Sequence, residues 1–162
     1  MMLEIERIVS GGQTGADRAG LDWALANAVP HEGWCPAGRR AEDGEIASGY
    51  ALRETAGAGY LVRTEWNVRD SDGTVIFSLA ARLGGGSMRT LEFAQRAGKP
   101  VLHLSKATCG AVEDAARELV DWAGRHRVRV LNVAGPRRSG EPLVGDYVRE
   151  VLDAAWRCRT AS

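Results

Sequence analysis

The feature that most restricts this chain is a strand, glycine-rich turn and helix that occur in that order twice. Residues 5–9 are a short stretch rich in β-branched apolar residues, Ile5, Ile8 and Val9, and run straight into Ser10-Gly11-Gly12-Gln13-Thr14-Gly15. Residues 16–29 then read as a helix, with Ala16, Ala19, Trp23, Leu25 and Ala26 at spacings near 3.6 and Pro30 as its stop. The arrangement returns with a buried-strand pattern over residues 74–78, the glycines of Leu83-Gly84-Gly85-Gly86-Ser87, and a helix over residues 88–97. Beyond it the pattern predicts a strand at 101–104 and a helix at 111–122. A last strand at 128–133 then runs into Ala134-Gly135-Pro136, and a last helix covers 142–156. The apolar stretch 60–62 is a weaker strand candidate.

Strands alternating with helices over short links require crossovers, and crossovers make a parallel sheet whose two faces must both be covered. The expected fold is therefore three-layer α/β, Rossmann-like, a mostly parallel sheet with helices on both faces and a single domain over residues 1–162. In such sheets ligands sit beyond the carboxyl ends of strands where the strand order reverses, which is where the glycine turns fall. Residues 31–73 form too long a stretch for a plain connector and are expected to contribute to a site.

Composition narrows the function classes. Lys plus Arg number 21 and Asp plus Glu 21, so no global positive field draws in nucleic acid, and any anion site must be local. No apolar run approaches the ~18–20 residues of a membrane span, and the first residues lack a secretory pattern, which predicts a cytoplasmic protein away from membranes. Cys35, Cys109 and Cys158 are far apart with no C-x-x-C pair, and His31, His103 and His126 are scattered. Reduced thiols and no protein-ligated metal are expected.

Glycine-rich turns ahead of helices present main-chain N–H groups and the positive helix end to an anion. The first turn offers Gly11, Gly12, Gln13, Thr14, Gly15 and Asp17 for this, and the second Gly84, Gly85, Gly86, Ser87 and Thr90. Neither is a standard fingerprint: Ser10 stands in place of the first Gly of G-x-G-x-x-G, and no Gly-Lys-Ser/Thr follows as in a P-loop. Trp34, Arg39 and Arg40 supply an aromatic face and guanidinium forks for an anionic heterocycle, or else a packed Trp and surface ion pairs. Asp72, just before the strand at Thr74, is an acceptor for a ribose or ring N–H, or a turn residue. Asn132 and Gly135 end the last strand as a third ligand-facing edge, or as an exit loop. Trp122 and Trp156 read as core residues, a helix-mediated homo-oligomer being the other use.

Taken together, several stretches resemble the putative molybdenum carrier family of the Rossmann-like SLOG superfamily, which also holds the Lonely Guy type phosphoribohydrolases. They are 10–17, 33–36 with 38–44, Arg63-Thr64 with Asn67-Val68, 71–74 and 131–136. The resemblance implies a nucleotide or pterin-cofactor pocket at the strand ends. It further implies a carrier of a phosphate-bearing small molecule, either molybdenum cofactor or a nucleotide, with molybdoenzymes as possible partners. Its enzyme alternative is cleavage of the N-glycosidic bond of a nucleoside monophosphate by Arg89 and Glu92. Set against the P-G-G-x-G-T-x-x-E pattern of those hydrolases on Thr90, the chain has Phe93 at the catalytic Glu and Glu92 one place early.

Overall fold

The computed structural model describes residues 3–56 and 59–160, with the side chains of Tyr60 and of residues 158–160 left aside. The thiol expected at Cys158 lies outside the described residues, whereas Cys35 and Cys109 are free thiols.

Five strands form one parallel sheet: β1 (Arg7–Val9), β2 (His31–Glu32), β7 (Gly73–Ser78), β8 (Val101–Ser105) and β9 (Val130–Ala134). Their spatial order is β2-β1-β9-β7-β8, so the strand that comes last in sequence sits in the middle. Register places Asn132 between Val9 of β1 and Thr74 of β7. Thr74 through Ser78 are all buried, as expected for a strand covered on both sides.

One layer of helices consists of α1 (Ala16–Ala26), α5 (Val112–His126) and α6 (Val144–Thr160). Ala115, Ala116, Leu119, Val120 and Ala123 of α5 and Val144, Val148, Val151 and Leu152 of α6 recur at helical spacing. They meet Ile8, Val75, Phe77, Leu104, Leu131 and Val133 of the sheet in one core. Trp122 is buried there, and Trp23 packs edge-on against Trp156 with 5.3 Å between ring centres. Trp23 Nε1 also donates to Asp153 at 2.9 Å, tying α1 to α6.

The opposite layer consists of α2 (Tyr60–Arg69) and α3 (Gly85–Arg96). The apolar stretch 60–62 is thus the first turn of a helix, not a strand. Leu61 with Val68 at i+7 and Val62 with Trp66 at i+4 carry the helical period, and the triad Tyr-Leu-Val is too short a window to show it. Likewise α3 begins at Gly85, so two of the turn glycines belong to its first turn.

Residues 31–55 build a small excursion. In it β3 (Trp34–Pro36) pairs in parallel with β6 (Arg53–Thr55), and β4 (Arg40–Ala41) pairs antiparallel with β5 (Gly44–Glu45). Cys35, Ile46 and Leu52 close over Leu21 of α1 as a second, smaller core. Among the described residues no helix is long and apolar enough to cross a membrane.

Candidate functional site

Beyond the carboxyl ends of β1, β9 and β7 lies a cleft of about 460 Å³. It opens where the strand order reverses, since the chain leaves β1 toward β2 but later builds β7 and β8 on the other side of β9. Gly11 comes from the first turn, Leu61, Arg63, Thr64 and Asn67 from α2, and Gly84, Gly86, Ser87 and Thr90 from the second turn and α3. Asn132, Gly135, Arg137 and Ser139 come from β9 and the loop after it. The cleft therefore brings both glycine turns to one side of the sheet.

The second turn is open. Gly84 caps α3 with no side-chain hydrogen bond, and a Cβ placed on Gly84, Gly85 or Gly86 would meet nothing within 4 Å. Among the described residues the N–H groups of Gly85, Gly86 and Ser87 donate to no protein acceptor, as the first amides of an uncapped helix must. Ser87 is only 5% exposed and lines the cleft, yet among the described residues its hydroxyl makes no hydrogen bond. Thr90 is also buried, and its hydroxyl donates back to the Gly86 carbonyl at 3.1 Å.

The first turn is built differently. Gly12 N–H donates to Ser10 Oγ at 3.3 Å, Gln13 N–H to Asp17 Oδ2 at 3.3 Å, and Ala16 N–H to the Pro136 carbonyl at 3.2 Å. Gln13 Nε2 reaches the Arg40 carbonyl at 2.9 Å. The Thr14 hydroxyl donates to Glu42 and accepts the Arg138 N–H at 3.2 Å. Glu42 also accepts the Ser139 hydroxyl at 2.6 Å, and the Ser139 and Thr14 hydroxyls hold its carboxyl below the usual carboxylate range. Gly12 and Gly15 have φ of 77° and 81°, in the region that favours glycine, and a Cβ on Gly15 would stand 2.4 Å from the Pro136 carbonyl oxygen. These glycines serve close packing of the turn, and of the residues 11–15 only Gly11 faces the cleft.

Beneath Gly11 lies a buried ion pair: Arg63 Nη1 is 3.7 Å from Asp17 Oδ2, and the two side chains are 8% and 10% exposed. A Cβ on Gly11 would stand 2.2 Å from that Arg63 nitrogen, so the pair occupies space that only glycine leaves. Burial pushes the Asp17 carboxyl up to about 6, against the opposing pull of Arg63, the Gln13 N–H, Arg137 and Arg18. Arg63 belongs to the helix that short-range periodicity missed. Its position i−4 from Asn67 on one face of α2 is the signal that marks it.

Other expected site residues lie elsewhere. Trp34 Nε1 donates to Asp70 at 2.8 Å, and its ring stacks against Arg53 and Trp66, outside the cleft. The Arg39 guanidinium donates to the carbonyls of Ile46, Ala47, Tyr50 and Leu52, closing the excursion rather than reaching a ligand. Arg40 is exposed and lines no part of the cleft. Asp72 stands at the entrance of β7, the opposite edge of the sheet, where it accepts the N–H groups of Arg129 and Val130 at 3.0 and 2.8 Å. Arg89 and Glu92 face each other at 3.7 Å on the exposed side of α3 and do not line the cleft. Asn132 is 3% exposed and donates to Thr74 Oγ1 at 3.2 Å. Asn67, also in the cleft, spends both ends of its amide on the Trp34 backbone, at 2.8 and 3.0 Å. Among the described residues no group of three His, Cys, Asp or Glu side chains is placed to hold a metal ion.

A sheet whose central strand arrives last is the topology expected when the sequence order of a parallel fold has been rotated. A family model described as the circularly permutated YpsA SLOG family matches residues 8–156. The chain belongs to that family. The chain is also similar to a crystal structure described as a putative molybdenum carrier protein from Syntrophus aciditrophicus SB. The two are 43% identical with a TM-score of 0.91, over 94% of this chain and 95% of that one. The likeness establishes the Rossmann-like architecture. No curated protein gives a significant match.

Proposed function

We propose that this SLOG protein is a carrier for a phosphate-bearing small molecule, a molybdenum cofactor or a nucleotide, held in the cleft at the strand ends. The observation that carries the reading is Ser87. In a residue only 5% exposed, a hydroxyl open to the cleft stands beside three main-chain N–H groups at the positive end of α3, all four without a hydrogen-bond partner among the described residues. That set complements phosphate oxygens, and Arg63 and Arg137 add positive charge to the same cleft. The description of the similar Syntrophus protein as a molybdenum carrier supports the molybdenum cofactor as cargo. Such a cofactor brings its own sulfur ligands for the metal, so a carrier has no need of metal ligands of its own, and the open turn at Gly84–Ser87 suits its phosphate.

Calorimetry with inorganic phosphate, a pterin phosphate and a nucleotide panel tests the proposal. Binding is expected in the wild type and is expected to be lost in Gly86→Val, while Gly12→Val, at positive φ, acts on folding instead. Saturable binding that Gly86→Val and Ser87→Ala both leave intact would place the anion elsewhere. Arg89 and Glu92 point out of the cleft as an exposed pair, so the geometry gives N-glycosidic hydrolysis no support, and release of free base from nucleoside monophosphates is not expected.

A further inference from the structure

Building on the anion-binding reading, we propose that Asp17 sets which phosphate compounds the cleft accepts, favouring phosphomonoesters over di- and triphosphates. The charged groups among the described lining residues are Arg63, Arg137 and Asp17. Two guanidinium groups against one carboxylate leave a single net positive charge, to which the α3 N-terminus adds about half a charge. A phosphomonoester carries about −1.5 to −2 at pH 7, close to what this lining neutralises. Every further phosphoryl group adds negative charge for which the described lining residues have no cation left, while the Asp17 carboxylate, buried beside Arg63, repels it.

The placement of Asp17 is enforced by the fold. Its carboxylate is 90% buried, 3.7 Å from Arg63 Nη1, and accepts the Gln13 N–H at 3.3 Å, so it cannot swing out to solvent to avoid an incoming anion. Gly11 roofs the pair without a Cβ, keeping it in electrical contact with the cleft. The charged groups facing Asp17 are Arg63 from α2, Arg137 from the loop after β9 and Arg18 on its own helix. With its carboxyl pushed up to about 6, Asp17 is charged at pH 8 and largely neutral at pH 5, which gives a readout without mutation.

The test titrates adenosine monophosphate and triphosphate into wild type and Asp17→Asn at pH 7.5, and inorganic sulfate into wild type at pH 5 and 8. Asparagine keeps an acceptor for the Gln13 N–H while removing the charge. The wild type is expected to favour the monophosphate, and Asp17→Asn to narrow that preference by about tenfold, the scale of one charge at several ångströms in a partly shielded site. Sulfate keeps its charge across this range, and its affinity is expected to rise about five- to tenfold from pH 8 to pH 5. A wild type that prefers the triphosphate overturns the proposal, as does a preference that Asp17→Asn leaves unchanged. Should that variant not fold, a sulfate affinity that does not change with pH overturns it. If neither nucleotides nor sulfate bind the wild type at either pH, the anion-binding reading itself falls.

Discussion

The two glycine-rich turns look alike in sequence and are opposites in structure. In the first, Ser10, Asp17 and the Pro136 carbonyl take up the amides of Gly12, Gln13 and Ala16, and Gly15 is pressed against backbone. In the second, three amides and the Ser87 hydroxyl have no partner among the described residues, and the glycines border open space. A glycine turn before a helix is thus either a packing device or a ligand site. What separates the two is whether polar side chains nearby have already filled it: Ser10 and Asp17 in the first, and no capping side chain in the second.

Substitutions that treat the turns alike should expose that difference. The largest effect is expected from Gly15→Ala, where positive φ and a 2.4 Å approach to Pro136 combine to cost at least about 3 kcal/mol in chemical denaturation. Next comes Asp17. A carboxyl near 6 when folded and 3.8 when unfolded binds more protons in the folded state between those values, so its ionisation lowers stability as pH rises through them. Relative to wild type, Asp17→Asn should therefore gain up to roughly 3 kcal/mol between pH 4 and pH 7, read from paired unfolding curves. If the gap between the curves stays constant, the carboxyl is not raised. Asp43 responds in the opposite sense: Arg18 holds its carboxyl low, so its contribution is present at neutral pH and fades on acidification.

Smaller effects belong to the second turn. Ser87→Ala should leave the melting temperature in place and weaken phosphate binding about ten- to a hundredfold, the worth of one hydrogen bond to a charged group. Gly86→Ala should change stability by less than about 1 kcal/mol, and in the favourable direction, because alanine suits a helix better and meets no neighbour. A strongly destabilised Gly86→Ala would mean that the second turn is packed after all.

Much of the architecture could be read from the sequence because its long elements carry local signals. Helix α5 shows Ala115, Ala116, Leu119 and Val120 on one face, and β7 carries the apolar run Val75-Ile76-Phe77. Helix α2 escaped because its polar members, Arg63, Thr64, Glu65 and Asn67, interrupt the apolar pattern and only three apolar residues open it. The excursion at residues 31–55 was opaque for another reason: β3 meets β6 across an intervening hairpin, and pairing at that separation leaves no periodic trace. The same gap explains the arginines. Nothing local to Arg39 announces that four carbonyls from residues 46–52 will converge on it. Ser87 was visible as a helix-start residue, but that its hydroxyl would stay unspent could be learned only from its surroundings.

The late position of β9 has a consequence for biosynthesis. Until the ribosome has delivered residue 134, β1 with β2 and β7 with β8 are two half-sheets with no shared edge, because the strand that joins them has not yet been made. Asn132, Gly135 and Arg137 travel on that same segment. A nascent chain therefore cannot complete the cleft early, and forming that cleft is coupled to the final closure of the sheet.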